Sequence, residues 1–134
     1  MAAPVLEPGP TGGRRLERRA RQNYEAWSWV FMRLSGLVLL FLALTHFAIT
    51  HIVNDVTETD AAFVGERWSN PLWRVFDWAL LALALSHGLN GLRWIVEDYV
   101  HSHARRTATK VALYSSSLGL FAYGTFTIVT FQAP

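Results

Sequence analysis

Three apolar blocks, residues 30–53, 72–96 and 108–131, leave this chain few ways to fold. Each exceeds the roughly 20 residues that a helix needs to cross a hydrocarbon core about 30 Å thick. With 51% hydrophobic and only 16% charged residues in 134, little remains for a soluble domain once the blocks are set aside. They predict an all-α membrane protein of three transmembrane helices. Cysteine is absent, which excludes a disulfide framework and any thiolate-held zinc or iron-sulfur centre supplied by this chain. The net charge of +2 comes from clustered basic residues, which act as topology signals and not as a nucleic-acid footprint.

Residues 1–13 hold three prolines and three glycines among few apolar side chains and predict a mobile arm. Arg14, Arg15, Arg18, Arg19 and Arg21 follow, with Glu17 the one acidic residue among them. Read as a twin-arginine export signal, Arg14-Arg15 would precede one short cleavable apolar stretch and not three long blocks. The positive-inside rule instead makes residues 1–29 a cytoplasmic arm, ending in the interfacial aromatics Tyr24, Trp27 and Trp29. Residues 54–70 carry Asp55, Glu58, Asp60 and Glu66 against the single Arg67, and so belong outside.

Within that connection, 61–68 predicts a short interfacial helix anchored by Trp68 and Trp73, and Pro71 suits the start of the next span. Arg74 and Asp77, one turn apart, are expected to pair with each other. Basic charge returns at His101, His103, Arg105, Arg106 and Lys110, on the side of the amino terminus. The carboxyl terminus is then outside, and 30–132 forms the membrane domain. Ser115, Ser116, Ser117, Gly119 and Gly124 mark the third span as a packing helix.

An ionisable residue at bilayer depth is a functional hypothesis by default, which singles out His87 in the middle of the second span. Ala84, His87, Gly88 and Gly91 recur at spacings of three and four and share one helix face. That face offers a ligand nitrogen beside room for a flat macrocycle; the alternative is a histidine hydrogen-bonded to a neighbouring helix. Asp98 and Tyr99 follow 11 and 12 residues later, roughly 17 to 18 Å along the axis at the inner membrane surface. A tyrosine hydroxyl there can donate to a quinone carbonyl. Arg33, a turn inside the first span, either snorkels to the headgroups or pairs with an anionic cofactor group. His46 and His51 read as packing residues near the outer interface.

The mid-helix histidine followed by Asp-Tyr 11 to 12 positions on resembles the smaller, D-type membrane anchor subunit of succinate dehydrogenase, respiratory complex II. The string Arg33-Leu34-Ser35-Gly36 is similar to the start of the larger anchor subunit, where an arginine and a nearby serine line the quinone pocket. The resemblance implies that His87 is an axial ligand of a haem b shared with the partner anchor, and that Arg33 lies near its propionates. It implies that Tyr99 hydrogen-bonds the head group of a ubiquinone or menaquinone, with Asp98 supporting that site. The implied partners are a cytochrome b-type C anchor subunit, an iron-sulfur subunit and a flavoprotein subunit, in a bacterial plasma membrane. A higher oligomer of the whole complex is compatible with this. No catalytic centre is expected in this chain alone. The alternatives are a fumarate reductase anchor or a haem-free structural anchor; the absence of a broken, substrate-lined helix argues against a transporter.

Overall fold

The protein's structure, a computed structural model, describes residues 11–132, with side chains from residue 22 onward. Helix α1 runs Thr11–Ala48 and opens into a wider π turn, Ile49–Val53. A 3-10 turn, Val56–Glu58, leads to the short α2, Ala61–Ser69, and two long helices follow, α3 Pro71–Tyr99 and α4 His103–Thr130. Among the described residues three helical segments are long and apolar enough to cross a membrane: Gln22–Val53, Pro71–Tyr99 and His103–Thr130.

The mobile arm expected over residues 1–13 falls mostly outside the described residues, as do the side chains of Arg14, Arg15, Arg18, Arg19 and Arg21. Residues 11–29 are helical and continuous with the first span. The reason lies in composition: Arg, Leu, Glu, Ala and Gln in 14–26 are strong helix formers. At 38 residues, α1 is about 57 Å long, more than a bilayer's full thickness of about 40–45 Å.

Polar side chains set the ends of the elements. Asp60 caps α2 by accepting from the Phe63 N–H at 2.9 Å, and Asn70 caps α3 by accepting from the Leu72 N–H at 2.9 Å, with Pro71 in the first turn. The end of α1 is loosened because the Thr50 hydroxyl donates to the His46 carbonyl at 2.9 Å and the Asn54 amide donates to the Ile49 carbonyl at 2.6 Å. Three residues separate α3 from α4, and Arg106 closes that turn by donating to the Val100 carbonyl at 2.9 Å.

The central helix is α3, which packs against both α1 and α4. On the α4 side the approach is close: a Cβ built on Gly124 would stand 2.6 Å from Leu81 Cδ2, so any larger residue there would require the Leu81 side chain to move. Trp78 fixes the register there by donating to Thr125 Oγ1 at 3.1 Å. The interior is polar where a soluble protein's would be apolar. Ser28 and Ser35 are as buried as Val96 and Ile128, while Leu37, Phe41, Leu44, Leu118 and Phe126 face outward. A surface of that kind is stable against lipid and not against water.

The pairing expected between Arg74 and Asp77 does not form. Arg74 turns to the end of α4, donating to the carbonyls of Ile128 at 3.0 Å, Val129 at 2.9 Å and Phe131 at 3.1 Å, and to Trp68 O at 2.6 Å. The last carbonyls of a helix have no intrahelical donor, and a guanidinium fork satisfies them. Asp77 turns the other way, accepting from Arg67 Nη2 at 2.8 Å, Trp68 Nε1 at 2.7 Å and His46 Nδ1 at 3.2 Å. One carboxylate thereby ties α1 and α2 to α3.

Candidate functional site

The seam between α1 and α3 carries His87 and Ser35, together with polar residues to which sequence reading gave no role. On α1, Ser28, Met32, Ser35 and Gly36 fall at helical spacings and line one face. Antiparallel to them on α3 run Arg93, Asn90 and His87. The Ser28 hydroxyl and the Asn90 amide bond reciprocally, at 3.1 and 2.9 Å. Arg93, 13% exposed at its side chain, reaches the Ser28 hydroxyl at 3.5 Å and Glu97 at 3.6 Å, and stacks on Tyr24 and Trp94 at 5.1 and 5.0 Å. Its buried Nε has no hydrogen-bond partner among the described residues.

His87 lies at mid-seam, its Nδ1 2.8 Å from the hydroxyl of Ser35, which is only 4% exposed. A Cβ added to Gly36 would come within 3.3 Å of His87 Cε1, so the imidazole rests against the backbone of α1. The face shared by Ala84, His87, Gly88 and Gly91 is divided. Met32 Cε stands 3.6 Å from where a Cβ of Gly91 would be, so α1 fills that part of the small-residue groove. Ala84 and Gly88 remain exposed, and nothing lies within 4 Å of a Cβ at Gly88.

These residues are of the kind that could offer a haem one imidazole nitrogen. Nδ1 is engaged by Ser35, Nε2 has no hydrogen-bond partner among the described residues, and Gly88 and Ala84 leave space beside the ring. Among the described residues no three His, Asp or Glu side chains cluster as a bare metal ion would require.

The other expected site residues are separated from His87. Asp98 and Tyr99 close α3 and are exposed, Tyr99 to 78%. At the same end of the bundle a cavity of about 260 Å³ is lined by Tyr24, Trp27, Ser28, Phe31 and Asn90, three aromatic rings with a hydroxyl and an amide. Arg33 is exposed and stacks on Trp29 at 3.9 Å, one helical step off the seam that Met32 shares with α3. His46 serves the Asp77 cluster, and His51 is exposed and stacked on Phe47 at 4.7 Å. The Ser28–Asn90 and Arg67–Trp68–Asp77 groupings were not foreseen. A signal existed for the first, since Ser28 lies two turns before Ser35 and Asn90 one turn after His87.

The chain matches the family described as succinate dehydrogenase/fumarate reductase transmembrane subunit over residues 14–130. It is 32% identical over 111 residues to the succinate dehydrogenase hydrophobic membrane anchor subunit of Archaeoglobus fulgidus, covering 80% of this chain and 91% of the relative. It is 31% identical over 73 residues to the succinate dehydrogenase 2 membrane subunit SdhC of Mycobacterium tuberculosis, covering 54% and 53% of the two chains. With three spans, the first two joined by a polar seam, and a match reaching nearly end to end, the chain belongs to the succinate dehydrogenase/fumarate reductase transmembrane subunits.

Proposed function

We propose that the chain is an anchor subunit of a succinate:quinone oxidoreductase, binding a haem b through His87 and forming part of a quinone-reduction site with Tyr99 and Asp98. The observation that carries this reading is one imidazole, held at Nδ1 by Ser35 with Nε2 unpartnered among the described residues, on the same helix as an exposed Tyr99. Support also comes from the family match and the succinate dehydrogenase names of the two relatives.

In this reading the amino terminus is cytoplasmic, which the basic residues before the first span and around the α3–α4 turn favour. The partners are a C-type anchor that would share the haem, an iron-sulfur subunit and a flavoprotein docked at the cytoplasmic face of a bacterial plasma membrane. A haem b stores and passes one electron at a time. With a haem bound, His87 Nε2 would hold the iron, and the guanidinium of Arg33, exposed beside the seam, would pair with a carboxylate of the haem. Tyr99 donates its hydroxyl hydrogen bond to a quinone carbonyl at the membrane surface, while Asp98, facing water, relays protons. Reduction to quinol consumes two electrons from the iron-sulfur chain and two protons from the aqueous side. The family description also covers fumarate reductases, which run this chemistry in reverse; the ratio of succinate–quinone to quinol–fumarate activity separates the two.

Tyr99→Phe tests the quinone half of the reading. Quinone reduction by the purified complex should fall about tenfold, the equivalent of about 1.4 kcal/mol for one lost hydrogen bond in the transition state. Succinate oxidation by a water-soluble dye should be retained. Unaltered quinone kinetics would remove Tyr99 from the site.

A further inference from the structure

We propose that Ser35 is the positioning residue for His87: its hydroxyl oxygen accepts a hydrogen bond from Nδ1–H while its own O–H points to the Met32 carbonyl, which leaves the Nε2 lone pair for iron. The proposal rests on the haem reading above. It differs from the role in a quinone pocket that the Arg33-Leu34-Ser35-Gly36 resemblance suggested for this serine.

The hydrogen-bond inventory selects the direction of the relay. Ser35 Oγ lies 2.8 Å from His87 Nδ1 and 3.5 Å from the carbonyl of Met32, one turn back on α1. Two proton arrangements are possible. If the serine donated to Nδ1, the ring proton would sit on Nε2, a donor with no acceptor among the described residues and no lone pair for a metal. If Nδ1 carries the proton, Nδ1–H donates to Oγ at 2.8 Å and O–H turns to Met32 O in a long, weak contact of 3.5 Å. Every donor then has an acceptor, and the group left over is a lone pair, which costs less to leave unpaired in a membrane interior than an N–H. The arrangement that satisfies the chain by itself is also the tautomer a metal requires.

The ring is also held sideways. Gly36 follows Ser35 directly, and its missing side chain lets Cε1, the carbon between the two ring nitrogens, rest against α1. With Ser35 on Nδ1 and Gly36 under Cε1, the bearing of Nε2 is set by α1, although the ligand belongs to α3. An outer partner of this type fixes the ligand's orientation and raises its basicity, and its loss typically changes metal affinity by about 10- to 100-fold.

The test compares native complex with Ser35→Ala, Ser35→Thr and His87→Ala, each purified whole, by haem content, redox titration and low-temperature EPR of the oxidised haem. A more basic imidazole favours ferric over ferrous iron. Losing the relay in Ser35→Ala should therefore raise the midpoint potential, a tenfold loss of that preference reading as about 59 mV for one electron. The EPR signal should also broaden as the ring orientation loosens, and Ser35→Thr, which keeps the hydroxyl, should restore both. A Ser35→Ala complex with native potential and EPR, in a protein whose haem is lost in His87→Ala, would overturn the proposal while leaving the haem reading intact. A native complex without haem, or an unaltered haem in His87→Ala, would overturn both.

Discussion

Asp77→Ala should lower the stability of the membrane domain by about 3–5 kcal/mol, the range for stranding one member of a buried ion pair. Asp77 is 10% exposed at its side chain and Arg67 9%, so neither charge has water to fall back on. Removing the carboxylate frees Arg67 Nη2, Trp68 Nε1 and His46 Nδ1 together, and Arg67 already has a buried Nε without a partner among the described residues. The strain falls on three elements at once, because Asp77 belongs to α3, Arg67 and Trp68 to α2, and His46 to α1. The double variant Asp77→Leu with Arg67→Met should be less damaging than Asp77→Ala alone, since it removes the stranded charge with its partner. Thermal unfolding of the detergent-solubilised complex, run on the single and double variants, reads this directly. Equal losses in both would mean that the cluster acts through packing and not through charge.

Arg74→Ala should cost about 2–4 kcal/mol. One guanidinium donates to four carbonyls, three at the end of α4 and one in α2, where a charge-assisted bond is worth about 1.5–3 kcal/mol. The total is smaller than a sum because carbonyls near the membrane surface recover bonds to water. Arg74→Lys should restore only a fraction, since a single ammonium cannot reach carbonyls spread from Trp68 to Phe131 as a planar fork does. Hydrogen exchange localises the effect: amides in the last turn of α4 should exchange faster in Arg74→Ala while those around His87 stay protected. Uniform protection in the variant would show that the carbonyls do not depend on Arg74.

The spans and the histidine were legible in the sequence because both depend on properties a linear pattern carries. Length and apolar content fix that 30–53, 72–96 and 108–131 cross a membrane, and one ionisable side chain inside such a block stands out. The partners of polar residues were not legible in the same way. Asp77 has Arg74 three positions away, and local spacing favoured that pair; the actual donors come from α2 and α1, 9, 10 and 31 residues distant. What decides it is the fold-back of α2 onto the start of α3, together with the unmet carbonyls at the end of α4 that draw Arg74 away. Neither has a periodicity.

The same limit applied to the seam. Small residues around His87 signalled room beside the ring, but not that Met32 would enter at Gly91 and leave Gly88 open. Ser35 was noticed for its neighbour Arg33, while its hydroxyl is bonded 52 residues away to the histidine itself. Asp98 and Tyr99, by contrast, stand at the end of α3 as their distance from His87 requires, since helix length is a local property.

His87 as a haem ligand is the claim on which most of this account depends, and a reduced-minus-oxidised absorption spectrum of the purified complex tests it most directly. The native complex should give a b-type signal, and His87→Ala, prepared in the same way with all subunits still assembled, should lose it or shift it markedly. A native complex with no such signal, or a variant whose spectrum matches the native one, would make His87 a packing residue hydrogen-bonded to Ser35 and nothing more.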